Sequence, residues 1–216
     1  MEFADAIAHS DRLKSIEGIP VRQLTEPERE PVHLWIDFSR PEGTMELLKN
    51  LDTPIVVGTT GFSGAQFTEL EHYSKTRAVL YAPNMAPGMN ALMQLLRHGG
   101  LSPQLGFNVV ANETHHVHKK DAPSGTMKRL IDILNAQGHK NIQVQVARAG
   151  EVFGIHSLRF ISGEEEITIE HRVSDRKVFA KGALLAASFL LKGEKKPGLY
   201  SYEDVLRPIP APSVVG

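Results

Sequence analysis

The sequence predicts an α/β protein in which a parallel sheet with helices on its faces is followed by a smaller region of antiparallel or mixed sheet. Three observations predict it. Apolar, β-branched runs alternate with helix-periodic segments through the first half, the pattern of a parallel sheet. Three short alternating segments then follow one another after residue 140. A late apolar run, GALLAASFLL, reads as a further helix.

Taken in order, the opening reads as a helix with Phe3, Ile7 and Leu13 along one face, and Ile19-Pro20-Val21 as a short strand. Glu26 to Pro31 is charged and proline-bounded, an exposed connection. Val32 to Ser39 is a buried strand, and a helix follows with Pro41 near its start, where the missing N–H costs nothing. PIVVGTT is a second strand of this sheet and AQFTELEHYSKT its helix; AVLYAPN and GMNALMQLLRHG repeat the pair. Open parallel sheets take ligands at the carboxyl ends of their strands. The candidate loops are therefore Phe38-Ser39-Arg40, Gly58-Thr59-Thr60-Gly61 and Ala82-Pro83-Asn84-Met85.

In the second half, FNVVANETHH is a strand, and a helix carries Met127, Leu130, Ile131 and Leu134 on one face. IQVQVARAG is another strand. HSLRFIS and EEITIEHRV, joined through Gly163, read as a hairpin. The tail RPIPAPSVVG carries three prolines and predicts no regular structure.

Composition narrows the function. With 24 basic and 25 acidic residues the net charge is -1, which gives no bulk attraction to nucleic acid or an anionic membrane. No cysteine is present, so disulfides and thiolate chemistry are excluded. No apolar run approaches the roughly 20 residues that span a bilayer, and the opening lacks the apolar core of a signal peptide. The expected location is the cytoplasm.

The densest constellation runs from Glu113 to Thr126, ETHHVHKKDAPSGT, with three histidines within four positions. Alone, such a tract reads as a solvated polar loop or, more weakly, as a metal site built from His115, His116 and His118; no second ligand cluster follows, and no metal is expected. The DAPSGT end adds a cap in Ser124, close backbone approach at Gly125, and the start of a helix at Thr126. Free N–H groups there favour a carboxylate or phosphate. Lysine and imidazole just before an anion site suit an acidic small molecule and a proton transfer near neutral pH.

The same segment resembles the signature of the dihydrodipicolinate reductases. IDFSRPEGT, VVGTTGFS, APNMAPGMN, RAGEVFGIH, IEHRVSDRKVFAKGAL and PGLYSYEDVL agree in order, so the resemblance covers roughly residues 32–206. It implies a Rossmann-like nucleotide domain (1–86 and 177–216) and a substrate domain (87–176) whose open sheet builds a homotetramer. It implies NADH- or NADPH-dependent reduction of 4-hydroxy-tetrahydrodipicolinate in diaminopimelate and lysine biosynthesis. His115 would be the proton donor/acceptor, assisted by Lys119. His116 and the backbones of Gly125 and Thr126 would bind the carboxylates of a small dicarboxylate substrate, with Arg176 near the pocket. Gly58, Thr59, Thr60, Ala82, Pro83, Asn84 and Met85 would contact the cofactor, flanked by Phe38 and Arg40. Read without the resemblance, Asn84 closes a turn, Arg40 is a surface charge, and Arg176 with Asp175 is an exposed pair. His9, His33, His72, His98 and His139 carry no motif; Trp35, Phe179 and Phe189 belong to the core.

The chain departs from the family at its start. Before Trp35 the only glycine is Gly18, whereas the family opens with a strand and a GxxGxxG turn. EFADAIAHS resembles the latter part of the helix after that turn, as in a truncated member. The alternative is a non-catalytic relative that binds dicarboxylates without a nicotinamide cofactor. Val117 stands where the family usually has arginine.

Overall fold

Short runs of β-branched residues and capped amphipathic helices generate the architecture. The computed structural model describes residues 6–7, 14–16, 19–22, 32–99, 101–193 and 195–207. They belong to two compact units, Met1–Pro83 with Ala183–Gly216, and Asn84–Gly182.

In the first unit, β1 (Ala6–Ile7), β2 (Ser15–Ile16) and β3 (Ile19–Arg22) form a small sheet in the order β1-β3-β2. The opening helix is thus corrected where residues are described: Ala6–Ile7 pair in parallel with Val21–Arg22. A helix of about a dozen residues is marginal alone, and a neighbouring strand offers the backbone ready partners. The rest of that expected helix, and the Glu26–Pro31 connection, lie outside the described residues.

β4 (Trp35–Asp37) buries Trp35 and Asp37 and turns Ile36 partly outward. α1 (Pro41–Asn50) has its proline in the first turn and buries Thr44, Met45, Leu47 and Leu48. β5 (Ile55–Val57) is fully buried. α2 (Gly64–Ser74) starts with a capping box between Ser63 and Gln66, and β6 (Ala78–Tyr81) follows. Trp35, Met45, Leu48, Ile55, Leu70 and Val79 pack together as the core.

The second unit begins at α3 (Pro87–His98), whose Met89, Leu92, Met93 and Leu96 recur at helical spacing on the buried face. After a 3-10 turn come β7 (Asn108–His115), α4 (Gly125–Ala136), β8 (Gln143–Arg148), β9 (Gly154–Ile161) and β10 (Glu166–Val173). The sheet order is β10-β9-β7-β8. β8 runs parallel to β7, whereas β9 is antiparallel to both β7 and β10. The expected β9–β10 hairpin is present, its turn closed by Ser162, whose Oγ accepts the N–H groups of Glu164 and Glu165. Met89 and Leu96 from α3, Met127 and Leu134 from α4, and Leu158 and Phe160 from β9 form the core.

α5 (Lys177–Leu191) carries the apolar GALLAASFLL run. β11 (Gly198–Tyr200) then pairs in parallel with β6, completing a parallel sheet in the order β11-β6-β5-β4, and α6 (Tyr202–Leu206) follows. No helix among the described residues is long and apolar enough to cross a membrane.

Candidate active site

The site in the second unit starts from the two-residue period of β7. Val109, Ala111, Glu113 and His115 are all buried, in phase on one face. The strand therefore sends an acid and an imidazole where its pattern would place apolar side chains. β9 does the same: His156 lies in phase with Leu158 and Phe160 and pairs directly with Glu113 across the strands. Arg148, at the end of β8, is the register partner of His115.

Glu113 is the hub. Both carboxylate oxygens accept the Ser124 N–H at 3.1 Å. Oε1 lies 3.4 Å from Arg148, 3.9 Å from His115 Nδ1, and Oε2 lies 3.9 Å from His156 Nε2. Ser124 Oγ is 3.3 Å from His156 Nε2 and accepts the Met127 N–H as the N-cap of α4. The Nδ1 atoms of His115, His116 and His156 are buried and find no hydrogen-bond partner among the described residues. His115 is seated against Gly154, where an added Cβ would stand 3.2 Å from its Nε2.

Burial pushes His115 below the ordinary histidine value; the Glu113 charge opposes that, and Lys119 and Arg148 add to it. His156 is pushed to about 4, first by burial and then by His115 beside it. Glu113, His115 and His156 bring ligand-type atoms within 4.8 Å of one another. The guanidinium of Arg148 already neutralises that carboxylate, so a second cation there would meet it head on.

Outside this buried set, Lys119 Nζ binds Asp121 Oδ1 at 2.7 Å. Burial would raise the Asp121 carboxyl, but the Lys119 contact and the Gly125 N–H hold it below its usual value. The start of α4 therefore faces a carboxylate already. Thr126 Oγ1 accepts a hydrogen bond from Asn84 Nδ2, while Asn84 Oδ1 accepts the Ala86 N–H. Asn84 both closes a turn and reaches the helix start.

In the first unit, the carboxyl ends of β4 and β5 are tied by Asp37. Its carboxylate accepts the Thr44 and Thr59 hydroxyls and the Ser39 N–H. Gly58 donates its N–H to Asp37 O, and a Cβ at Gly58 would stand 2.4 Å from the Phe38 ring. Phe38 itself is 54% exposed. Thr60 and Gly61 are exposed, and Gly61 turns at φ 88°. A flat aromatic face beside open turn backbone fits the ring end of a nicotinamide cofactor.

The sequence matches the families described as dihydrodipicolinate reductase, N-terminus, over residues 5–85, and dihydrodipicolinate reductase, C-terminus, over residues 88–206. The chain belongs to the dihydrodipicolinate reductase family. This is a family of NAD(P)H-dependent oxidoreductases of the lysine and diaminopimelate pathway. A 4-hydroxy-tetrahydrodipicolinate reductase of Bdellovibrio bacteriovorus is 41% identical over 81% of this chain and 76% of its own length. One from Lawsonia intracellularis is 34% identical over 90% and 86%. A dipicolinate-bound dihydrodipicolinate reductase from Paenisporosarcina sp. TG-14 shares the fold, with a TM-score of 0.72 at 21% identity over 96% of this chain and 90% of that one.

Among the residues singled out from the sequence, His115 lies beside Glu113, which accepts the Ser124 N–H at the start of α4. Lys119 reaches that start through Asp121 and the Gly125 N–H, while the His116 ring lies 6.1 Å from that of His118. Arg176 is exposed, with its guanidinium 5.3 Å from the Phe153 ring centroid. Phe38 lies against Gly58 at the ends of β4 and β5, Thr60 follows in the exposed turn, and the exposed Arg40 occupies the N-cap position of α1 without a side-chain hydrogen bond to it. Thr59, Ala82 and Met85 are buried, and the Thr59 hydroxyl is committed to Asp37. His33, His72 and His98 are exposed, His9 lies outside the described residues, and His139 is buried with Nε2 2.8 Å from Leu101 O. Trp35 is buried and Phe179 packs against the second unit's core.

Sequence reasoning missed Asp37, Glu113, Arg148 and His156. The available signal was phase: each of Asp37, Glu113 and His156 stands two residues from a buried apolar strand residue, Trp35, Ala111 and Leu158.

Proposed function

We propose that this chain reduces 4-hydroxy-tetrahydrodipicolinate with NADH or NADPH, using His115 as proton donor/acceptor and Lys119 as the assisting cation. The observation that carries the reading is the carboxylate already held at α4: Asp121 bound by Lys119 Nζ and drawn on by the Gly125 N–H. A helix start and an ammonium that hold one carboxylate supply the chemistry to hold a substrate's. His116, with the backbones of Gly125 and Thr126, would take the substrate carboxylates, and Arg176 would add charge nearby. Burial disfavours the protonated His115 ring and Glu113 supports it, so the ring rests neutral and takes up or returns one proton during the reaction.

The cofactor would be held by Phe38, Gly58 and Thr60, by Arg40 at the α1 start, and through the backbone of Thr59, Ala82 and Pro83 on the first unit, with Asn84 and Met85 at the beginning of the second also assigned to it. When bound, it supplies the hydride. The same reading makes the protein a cytoplasmic homotetramer. It is supported by β8, an edge strand that exposes Val144 and Val146, the kind of edge that sheets cover with a partner.

The test is steady-state reduction by the purified chain with each nicotinamide, beside calorimetric titration with pyridine-2,6-dicarboxylate. His115→Gln should lower kcat by roughly 10²- to 10⁴-fold, and Lys119→Met comparably. Wild-type rates in both variants would sink the assignment. Dicarboxylate binding without any nicotinamide binding would make the chain a binding protein instead.

A further inference from the structure

Three residues stand side by side across the mixed sheet: Glu113 on β7, its partner His156 on β9, and in turn His171 on β10. The reaction as proposed uses none of them. Glu113 has a fully shielded side chain, and a buried carboxylate is costly unless compensated. Its compensation is instructive. The Ser124 N–H lies 3.1 Å from each oxygen and Arg148 lies 3.4 Å away. His115 and His156 complete the ring around it. One carboxylate thus touches both the residue that caps α4 and the surroundings of the His115 ring.

We propose that Glu113 and His156 are positioning residues that lock the His115 ring and the start of α4 into one geometry, so that proton transfer and carboxylate binding are set by a single buried network. The proposal rests on the reading of His115 and α4 given above.

The roles of the two differ. Glu113 favours the protonated ring of His115 against burial, Lys119 and Arg148, with Asp121 acting in the same direction as Glu113. Without Glu113 the ring would hold a proton only in more acidic solution. His156 contributes as a neutral ring. A proton on Nε2 points it towards Glu113 Oε2 and Ser124 Oγ, leaving Nδ1 as an unpaired acceptor, which costs less than an unpaired donor. Its neighbours His115, Glu113, His171 and Lys119 include no second carboxylate that would reward a charge. A neutral His156, with its ring centroid 5.0 Å from that of His115, therefore supports the carboxylate without adding a positive charge against the proton on His115. His171 backs the row, its ring 3.2 Å from where a Gly88 Cβ would stand.

The experiment is an NMR titration of histidine-labelled full chain, with His115→Gln assigning the resonance, beside calorimetry with pyridine-2,6-dicarboxylate. Glu113→Gln should lower the His115 midpoint by about one pH unit. His156→Phe should weaken dicarboxylate binding about tenfold, the worth of one hydrogen bond. His156→Gln, which keeps an N–H near the Nε2 position, should restore it. If Glu113→Gln does not fold with Arg148 unpaired, the double variant Glu113→Gln with Arg148→Met is compared with Arg148→Met alone, because Arg148 by itself pushes the His115 midpoint down. An unmoved His115 midpoint overturns the Glu113 role. Wild-type dicarboxylate binding in His156→Phe, or loss in His156→Gln equal to that in His156→Phe, overturns the His156 role. A wild-type chain that binds no dicarboxylate removes the α4 half of the proposal. Failure of the catalytic reading looks different: His115→Gln would turn over normally while the midpoint shift in Glu113→Gln persisted.

Discussion

The two units use the same device in two chemical settings. In each, an inward strand position near a carboxyl end holds a buried carboxylate: Asp37 on β4 and Glu113 on β7. Each carboxylate binds a helix start, Asp37 through Thr44 on α1 and Glu113 through Ser124 at α4. Asp37 is held by two hydroxyls and a backbone N–H, none of which titrates near neutrality. The partners of Glu113 include two histidines and an arginine. A carboxylate satisfied by hydroxyls fixes backbone and makes a platform. A carboxylate among imidazoles also sets how readily a neighbour holds a proton. The difference assigns shape to the first unit's site and proton handling to the second's.

Acid should separate the two most strongly. His156 titrates at about 4 in the folded protein, below its unfolded value, so on acidification the unfolded chain takes up that proton first. Stability contributed by neutral His156 is complete above pH 6.5 and is lost between pH 6.5 and about 4, worth roughly 3 kcal/mol in full. Urea unfolding at pH 7 and pH 4.5 should show a steeper loss for wild type than for His156→Gln. Equal losses would break the comparison. Next in size, Asp37→Ala strands two hydroxyls and an N–H and should cost roughly 2–3 kcal/mol at pH 7. A cost below about 0.5 kcal/mol in the same assay would show that water satisfies those groups and that the platform is not built on Asp37.

Gly154→Ala probes the titrating side alone. Its Cβ would press on His115 Nε2 at 3.2 Å, while β9 tolerates alanine as a strand residue. Stability should stay within about 1 kcal/mol, while kcat falls roughly tenfold because the ring is displaced from its working position. Unchanged kcat would place His115 outside the chemistry or show that the ring has room to give.

Much of the fold was legible because period and capping are local. The helices after Pro41, Ser63 and Ser124 start at residues whose chemistry starts helices, and the β9–β10 hairpin follows its alternation. The β11 strand was not legible, since Gly198–Tyr200 gains strand character only by pairing with β6, far away in sequence. The opening was misread because apolar spacing at Ile7 fits a helix as well as a strand. At the site, the signature pointed to His115, His116 and Lys119, yet the residues that hold them were hidden. Glu113 and His156 are 43 positions apart and meet only through strand register. Arg148 is placed by the parallel pairing of β8, and no spacing in the sequence announces it.

The smallest expected effect tests the platform side. A Cβ at Gly58 would overlap the Phe38 ring at 2.4 Å, but that ring is more than half exposed and can swing into solvent. Gly58→Ala should therefore leave unfolding nearly unchanged, and it does not touch the Asp37 hydrogen bonds. What it removes is the flat aromatic face over the strand ends. The affinity for NADH or NADPH, read by calorimetry, should fall roughly three- to tenfold, the worth of one aromatic contact. An Asp37→Asn variant, which keeps Phe38 over Gly58 but weakens the hydroxyl ties, separates shape from rigidity: if it loses cofactor affinity and Gly58→Ala does not, the platform acts through backbone order at β4 and β5 rather than through the ring.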